Sequence, residues 1–234
     1  MRRFPASVLC LGAFLAMTAG PARAAEEDGQ VWLAQQSFLN LDKNLVLFTD
    51  LQLRLTDDAE RAGQAIARGA LGVKLDRSTT VWGGYGYIRT DPPGGRVSHE
   101  HRVFEQVTWR AFGDGVGNAT TRPTLTGRTR LEQRMVEGQD GTGWRLRQLV
   151  RLDVPLGKPG TPQAVVWAEP FVGLNRTGWG QKSGFDQLRG FAGLALPVGR
   201  GISVEAGYSG QYVARPARED RMNHIASLSL MIRR

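Results

Sequence analysis

The sequence predicts an all-β fold, an antiparallel transmembrane β-barrel, from three observations. Leucines alternate with polar residues between Asn44 and Asp57, and a period of two indicates a strand with one apolar and one polar face. This segment is long enough to cross a bilayer, because a tilted strand needs about 9–11 residues. Similar segments recur to the C-terminus, and the chain begins with a pattern typical of export. Together these features are typical of outer-membrane barrels.

Residues 1–24 predict a secretory signal peptide. Arg2 and Arg3 form a basic region, Val8–Ala19 is apolar, and Ala22-Arg23-Ala24 is an A-x-A cleavage site. The apolar stretch is shorter than the roughly 20 residues that a membrane-spanning helix needs. We therefore expect residues 25–234 to form one barrel domain in the outer membrane of a Gram-negative bacterium.

The composition excludes several classes of function. The one cysteine, Cys10, would leave with the signal, so the mature chain is expected to lack disulfides, zinc–thiolate sites and cysteine nucleophiles. The formal net charge of +8 comes mainly from arginine. These arginines alternate along the strands and do not cluster on a helix or a tail, so we expect no nucleic-acid partner.

Eleven segments carry the strand pattern, and turns rich in Gly, Pro and charged residues separate them. Gly83, Gly84 and Gly86 lie within one segment, where they would accommodate bulky neighbours or barrel curvature. In chain order the segments are Val31–Leu41, Asn44–Thr56, Ala65–Leu75, Thr79–Thr90, His101–Phe112, Leu125–Val136, Trp144–Leu156, Ala164–Asn175, Phe185–Val198, Ile202–Val213 and His224–Arg233.

The connections between these segments differ in length, as in outer-membrane barrels with short periplasmic turns and long outer loops. The tight turns are Asp42-Lys43, Asp76–Ser78 and Gly199–Gly201, and the longer loops are Asp91–Glu100, Glu137–Gly143, Arg176–Gly184 and Ala214–Met222. Gly113–Pro123 and Gly157–Gln163 are longer than this rule predicts for the periplasmic side. Because bacterial single-chain barrels have an even number of strands, we expect 10 or 12 strands, with 12 preferred.

Sorting each strand by parity gives one apolar face and one charged face. Lys74, Arg102, Arg110 and Asp153 share the parity of the charged face. The positions that we expect to line the lumen and to set any selectivity are, in strand order, Arg54, Arg68, Arg128, Arg130, Glu132, Arg134, Arg145, Arg147, Arg151, Glu169, Arg189 and Glu205.

Two interpretations of the charged face remain open. Like charges across neighbouring strands are destabilising, so the arginines and carboxylates could form a network that fills and stiffens a narrow barrel. Alternatively, rings of arginine could make the lumen a porin-like passage that prefers anions. Glu105 and Gln133 fall on the apolar face and fit neither interpretation.

The segment Arg128–Arg134 reads R-T-R-L-E-Q-R and is the first of several strings that together resemble a known family. This string is followed in order by W-R-L-R at Trp144–Arg147, by E-P-F at Glu169–Phe171 and by Gly207-Tyr208. The combination resembles a family of Gram-negative outer-membrane proteins that carry a domain of unknown function. The resemblance covers the chain from about Trp32 onwards and implies a single barrel with a shared set of inner polar residues. It implies no activity.

Enzymatic function has one weak candidate in Ser98-His99-Glu100-His101, since some outer-membrane barrels are lipid-modifying enzymes and His is a common general base. An H-x-H pair in a loop is more often a solvated surface feature, and no G-x-S-x-G or H-E-x-x-H pattern accompanies it. We therefore expect no catalytic residue, no metal and no cofactor. A soluble periplasmic lipid-binding barrel would need an apolar interior, which the charged face contradicts.

The function that we expect from the sequence is a narrow, passive channel that prefers anions. The first alternative is a filled structural or adhesion-type barrel that acts through its outer loops. The second and weaker alternative is a lipid-modifying outer-membrane enzyme that uses His99 or His101. The expected partners are membrane lipid, the outer-membrane assembly machinery and small anions.

Overall fold

Backbone pairing gives every strand two hydrogen-bonded neighbours, so the sheet closes into a barrel. The structure, a computed structural model, describes residues 25–113, 121–215 and 218–234. The predicted signal peptide and parts of the predicted loops Gly113–Pro123 and Ala214–Met222 lie outside the described residues. The strands are β1 Glu26–Asn40, β2 Leu45–Thr56, β3 Arg61–Lys74, β4 Thr79–Thr90, β5 Ser98–Phe112, β6 Thr124–Val136, β7 Gly143–Pro155, β8 Gln163–Gly173, β9 Gly184–Gly199, β10 Ile202–Val213 and β11 Arg221–Arg233.

The barrel has eleven strands, so the expectation of 10 or 12 is wrong. Successive strands are antiparallel, whereas β1 and β11 close the barrel as a parallel pair that runs from Glu26 opposite Arg221 to Phe38 opposite Arg233. An odd number of up-and-down strands forces this parallel closure. The parallel ladder pairs the backbone groups of both terminal strands, so no open sheet edge remains.

The odd strand number places the two ends of the chain at opposite ends of the barrel. The amino end of the barrel carries Glu26 and, among the fully described connections, 57–60, 91–97, 137–142 and 174–183. The carboxyl end carries Arg234 and the described connections 41–44, 75–78, 156–162 and 200–201. The longest connections are therefore not confined to one end.

Side chains alternate between the interior and the exterior along each strand. On β2, Phe48 and Asp50 are buried, whereas Leu51 is 55% exposed. Large apolar side chains form an exposed outer surface around the barrel, and Trp144, Tyr208 and Tyr212 belong to it near the amino end. The described residues thus confirm an all-β closed barrel. No helix in the described part of the chain is long and apolar enough to cross a membrane.

Several strands begin earlier than the apolar pattern predicts. β1 begins at Glu26 and not at Val31, and β5 begins at Ser98 and not at His101. Backbone pairing with a neighbour needs no apolar alternation, so polar residues at the barrel ends can continue a strand. The connection after β2 spans residues 57–64 between the predicted segments but only 57–60 in the structure, because β3 begins at Arg61. Asp57, Asp58 and Ala59 make this tight turn with positive φ angles of 61°, 53° and 64°.

Candidate functional site

Glu132 lies at the centre of a buried network of arginines on β6 and β7. Its Oε2 accepts from Arg145 Nε and Nη2 at 3.0 and 2.7 Å, and its Oε1 accepts from Arg147 Nη1 at 2.6 Å. Arg130 Nη1 lies 3.6 Å from the same Oε1. Arg130 and Arg147 are direct cross-strand neighbours, an arrangement of like charges that would be unfavourable alone. The Glu132 carboxylate offsets that repulsion.

Glu169 on β8 extends this network to the next strand. Arg147 Nε and Nη2 donate to its two oxygens at 3.0 and 2.9 Å, which is the bidentate geometry that arginine forms best with a carboxylate. Arg128 Nη2 donates to Glu169 Oε1 as well. Arg147 therefore bridges two buried carboxylates, and the wall formed by β6, β7 and β8 is cross-linked by charge.

Three smaller ion-pair groups surround this centre. Glu100 accepts from Arg102 and Arg134 near the amino end of the barrel. Towards the carboxyl end, Arg151 Nη2 donates to Asp153 Oδ1 at 2.7 Å and to Glu205 Oε2 at 2.6 Å. Opposite these strands, Arg68 pairs with the fully buried Asp50 at 3.1 Å.

Arg54 and Arg189 differ from the other buried arginines, because their hydrogen-bond partners among the described residues are amides and not carboxylates. Arg54 donates to Gln52 and Gln64 at 2.8 and 2.9 Å. Arg189 donates to Gln187 at 3.4 Å, and one orientation of the Gln211 amide accepts from Arg189 at 3.1 and 3.2 Å. Among the described residues neither guanidinium group forms an ion pair with a carboxylate, although Glu169 is the cross-strand neighbour of Arg189.

Trp32 on β1 brings these two arginines together. The guanidinium carbon of Arg54 lies 3.7 Å from the centre of the Trp32 ring, and that of Arg189 lies 5.1 Å from it. Cations over an aromatic face are stabilised by the negative charge of the ring's π face. The indole Nε1 donates to Gln30 Oε1 at 2.7 Å, which fixes the ring.

Two cavities lined by described residues lie in the barrel interior, one towards each end. The carboxyl-end cavity has a volume of about 780 Å³ and the amino-end cavity one of about 890 Å³. The residues that line both cavities are Trp32, Arg54, Arg68, Arg147 and Arg189. We call these five residues the central arginine layer. The layer contains four arginines and no carboxylate.

The two cavities differ strongly in charge. The carboxyl-end cavity is lined by eleven arginines and lysines but by only three carboxylate residues, Asp76, Glu169 and Glu205. The amino-end cavity is lined by eight basic and eight acidic residues. At the carboxyl-end mouth, hydrogen bonds from the backbone N–H and hydroxyl of Ser78 lower the pKa of Asp76. The electrostatic field therefore favours anions mainly in the carboxyl-end cavity.

Comparison with known proteins assigns the chain to a family. The family model described as a protein of unknown function, DUF2490, matches residues 29–223. The chain belongs to this family. An uncharacterized protein of Methylorubrum extorquens is 35% identical over 225 residues, which cover 94% of this chain and 96% of that protein. No solved structure matches the chain significantly.

Membership of the DUF2490 family confirms the resemblance inferred from the R-x-R-L-E-Q-R string. In the structure, the charged side chains of this string face the interior of the barrel. Arg128, Arg130, Glu132 and Arg134 all lie on the inner face of β6. The twelve lumen positions expected from parity have buried or largely buried side chains inside the barrel: Arg54, Arg68, Arg128, Arg130, Glu132, Arg134, Arg145, Arg147, Arg151, Glu169, Arg189 and Glu205.

Several residues of the site are not among those positions. Asp50 has the inner parity on its strand, as does Gln106, whose Oε1 accepts from Arg130 Nε at 2.8 Å, so the same sorting could have found them. The sequence predicts Glu100 at the end of the loop Asp91–Glu100, but it lies on β5. Trp32 also has the inner parity on β1, but only its contacts with Arg54 and Arg189 show that it belongs to the central layer.

The histidine motif lies on the outer surface of the barrel. His99 Nδ1 and His101 Nδ1 each share a hydrogen bond of 2.5 Å with a tyrosine hydroxyl, that of Tyr87 and Tyr85 respectively. His101 Nε2 also lies 2.9 Å from Glu137 Oε1. Residues 25–113, 121–215 and 218–234 contain no group of three or more His, Cys, Asp or Glu residues arranged to hold a metal ion.

Glu105 and Gln133, which the parity argument could not place, are neighbours on the outer surface. Gln133 Nε2 donates to Glu105 Oε1 at 3.1 Å, and both side chains are outside the barrel. They are an exception to the apolar exterior and not a part of the arginine network.

Proposed function

We propose that the protein is exported, loses its signal peptide after Ala24, and spans the outer membrane of a Gram-negative bacterium as a narrow, passive channel for small anions. The exposed leucines and valines around the barrel support a lipid-facing exterior. On this proposal its partners are membrane lipid, the outer-membrane assembly machinery and the permeating anions. The protein performs no chemical reaction and needs no cofactor.

The central arginine layer is the observation that carries this proposal. It is the only set of side chains that faces both described cavities, so an ion crossing the lumen has to pass it. Arg68 and Arg147 are held by Asp50, Glu132 and Glu169. Arg54 and Arg189 are left to interact with an ion in transit. Rings of arginine are a known physical basis of anion selectivity.

The charge of the carboxyl-end cavity supports the same function. Its excess of basic side chains raises the local concentration of anions next to the central layer. The balanced amino-end cavity adds little attraction of its own. The central layer is therefore proposed to limit the passage of anions. The positive charge of the carboxyl-end cavity attracts anions towards this layer.

Planar-bilayer recording of the refolded protein tests the proposal. Under a salt gradient, the unaltered protein should give discrete conductance steps with an anion-selective reversal potential. The double variant Arg54→Gln and Arg189→Gln should shift that potential towards zero, because it removes the two positive charges of the layer that form no ion pair with a carboxylate among the described residues. Arg176→Gln, at an exposed loop position, removes a charge outside the lumen and should leave the potential unchanged. A heat-dependent gel shift confirms folding of each variant.

Two outcomes would contradict the channel. Folded protein without conductance steps would refute the channel. Conductance steps with the same selectivity in the unaltered protein and the double variant would show that the central layer does not set the selectivity.

A filled barrel acting through its loops is the second candidate, and the packing of the lumen favours it. Arg54 is stacked 3.7 Å from the Trp32 ring centre, which closes space within the layer. At the amino end, two hydrogen bonds hold the 174–183 loop against its neighbours. Trp179 Nε1 donates to Gly141 O in the 137–142 connection, and Gln181 Nε2 donates to Trp144 O on β7. This candidate requires a folded barrel without conductance, in which replacement of the 176–184 segment abolishes partner binding without loss of the gel shift.

A further inference from the structure

The carboxyl-end cavity has an aromatic wall in addition to its positive charge. Phe38, Phe48 and Trp82 line it together, with Phe38 and Phe48 ring centres 4.9 Å apart. Trp82 meets the two phenylalanines edge-on at 6.1 and 6.2 Å. Its indole Nε1 donates to Thr108 Oγ1 at 3.0 Å, so the ring needs no further polar partner. This wall offers flat apolar surface to whatever enters.

A second aromatic wall lines the same cavity from β8 and β9. Trp167 and Phe191 are stacked with ring centres 5.6 Å apart and an interplanar angle of 10°. They pack with the buried side chains of Val165 and Ala195. Bare inorganic ions gain nothing from such walls. An organic molecule with an apolar body would bury surface against them.

The inner limit of the cavity is the pair Arg54 and Arg189. Arg54 is 7% exposed, and its Nε is buried without a hydrogen-bond partner. Arg189 reaches the same Trp32 ring from another strand. Both guanidinium carbons lie within 5.1 Å of the centre of that one ring, so the two positive groups are near neighbours. A carboxylate next to them would be attracted by both charges, and it would supply the acceptor that Arg54 Nε lacks.

We propose that the carboxyl-end cavity is a binding site for a small amphipathic organic anion, an aromatic carboxylate. Its carboxylate lies against Arg54 and Arg189, and its ring lies among the aromatic side chains of Phe48, Trp167 and Phe191. The cavity volume of about 780 Å³ is within the range of small-molecule sites. This inference rests on the proposed function and deepens it, because it names the class of anion that the channel takes.

The charge and shape of the site argue against simpler ligands. A neutral aromatic compound would leave the surplus of basic side chains in the cavity unused. A small anion without an apolar body would leave both aromatic walls uncovered. The aromatic carboxylate satisfies both features at once, which is typical of sites with apolar walls and a few polar anchors.

Calorimetric titration of the refolded mature protein in detergent tests the proposal with three matched probes. Phenylacetate carries both features, acetate lacks the ring, and phenylacetamide lacks the charge. We expect saturable binding of one phenylacetate per protein, after subtraction of empty micelles, and at least tenfold weaker binding of the other two probes. Arg54→Gln and Phe191→Ala should each weaken phenylacetate binding at least tenfold, whereas Arg176→Gln should not. If Arg54→Gln fails the gel-shift test for folding, Arg189→Gln replaces it.

Three outcomes would overturn the site: acetate binding as tightly as phenylacetate, phenylacetamide binding as tightly, or phenylacetate uptake that does not saturate. Chloride conductance, measured separately, keeps this test distinct from that of the channel. Saturable phenylacetate binding without conductance would support the site and refute the channel. Conductance without saturable binding would support the channel and refute the site.

Discussion

The substitution Glu132→Gln tests whether the buried network stabilises the barrel. Glu132 is 1% exposed and accepts from Arg145 and Arg147, with Arg130 also in range. The amide keeps the shape of the side chain but removes its charge, so three guanidinium groups lose their shared partner. Removing one partner of a buried ion pair costs about 3–5 kcal/mol. Since one acceptor oxygen remains, we expect the lower value, about 3 kcal/mol.

Urea unfolding, followed by tryptophan fluorescence and the gel shift, measures this loss. With a slope of about 3 kcal/mol per molar urea, the midpoint should fall by about 1 M. The matched control is Glu137→Gln, which removes a carboxylate that is 53% exposed and contacts only His101 among the described ion pairs. Exposed pairs contribute about 0–1 kcal/mol, so its midpoint should barely move. Equal midpoints for the two variants would refute the stabilising role of the network.

Three further outcomes are expected. Gly84→Ala should destabilise the barrel by about 1–3 kcal/mol, because the added Cβ would lie 2.7 Å from the Ala70 side chain and against Phe104. The control is Gly83→Ala, whose Cβ meets open space and should leave the stability unchanged. Equal urea midpoints for the two variants would contradict this prediction. Hydrogen bonds lower the pKa of Asp76 in the folded protein from its ordinary value of 3.8. The ionised Asp76 side chain therefore stabilises the fold above pH 3.8, and this stabilisation is lost as the pH falls through the lowered pKa. The midpoint difference between the unaltered protein and Asp76→Ala should therefore shrink on acidification. Glu105→Leu should stabilise the barrel by about 1 kcal/mol in phospholipid vesicles, and the absence of a gain would count against a lipid-facing Glu105.

The parity of the strands was predictable from the sequence, but their closure was not. Alternation is a local property, so it separated Leu51 from Asp50 and Arg54 without any tertiary information. The pairing of β1 with β11 joins residues almost the whole chain apart, and no local pattern encodes it. The even-number rule therefore suggested a missing strand, although the eleven segments read from the sequence correspond to the eleven strands present.

The composition of the lumen was predictable from the sequence, but its division into arginines with and without a carboxylate ion pair was not. The positions of Arg54, Arg147 and Arg189 follow from parity alone. Their partners depend on register: Arg147 reaches two carboxylates, whereas Arg54 and Arg189 reach amides. Trp32 had no distinguishing signal, because its role arises only where β1, β2 and β9 bring side chains to one point.

The parallel pairing of β1 with β11 has a practical consequence for handling the molecule. Residue 25 and residue 234 lie at opposite mouths. With cleavage after Ala24, as proposed above, epitope tags on the two termini of one molecule would therefore report from opposite faces of any membrane that holds it. The orientation of the barrel in a membrane can thus be determined from which tag an added antibody reaches, without cutting a loop or inserting a tag into one. Circular permutation, by contrast, is obstructed: a linker between the termini would have to run the length of β1, roughly 50 Å of extended chain.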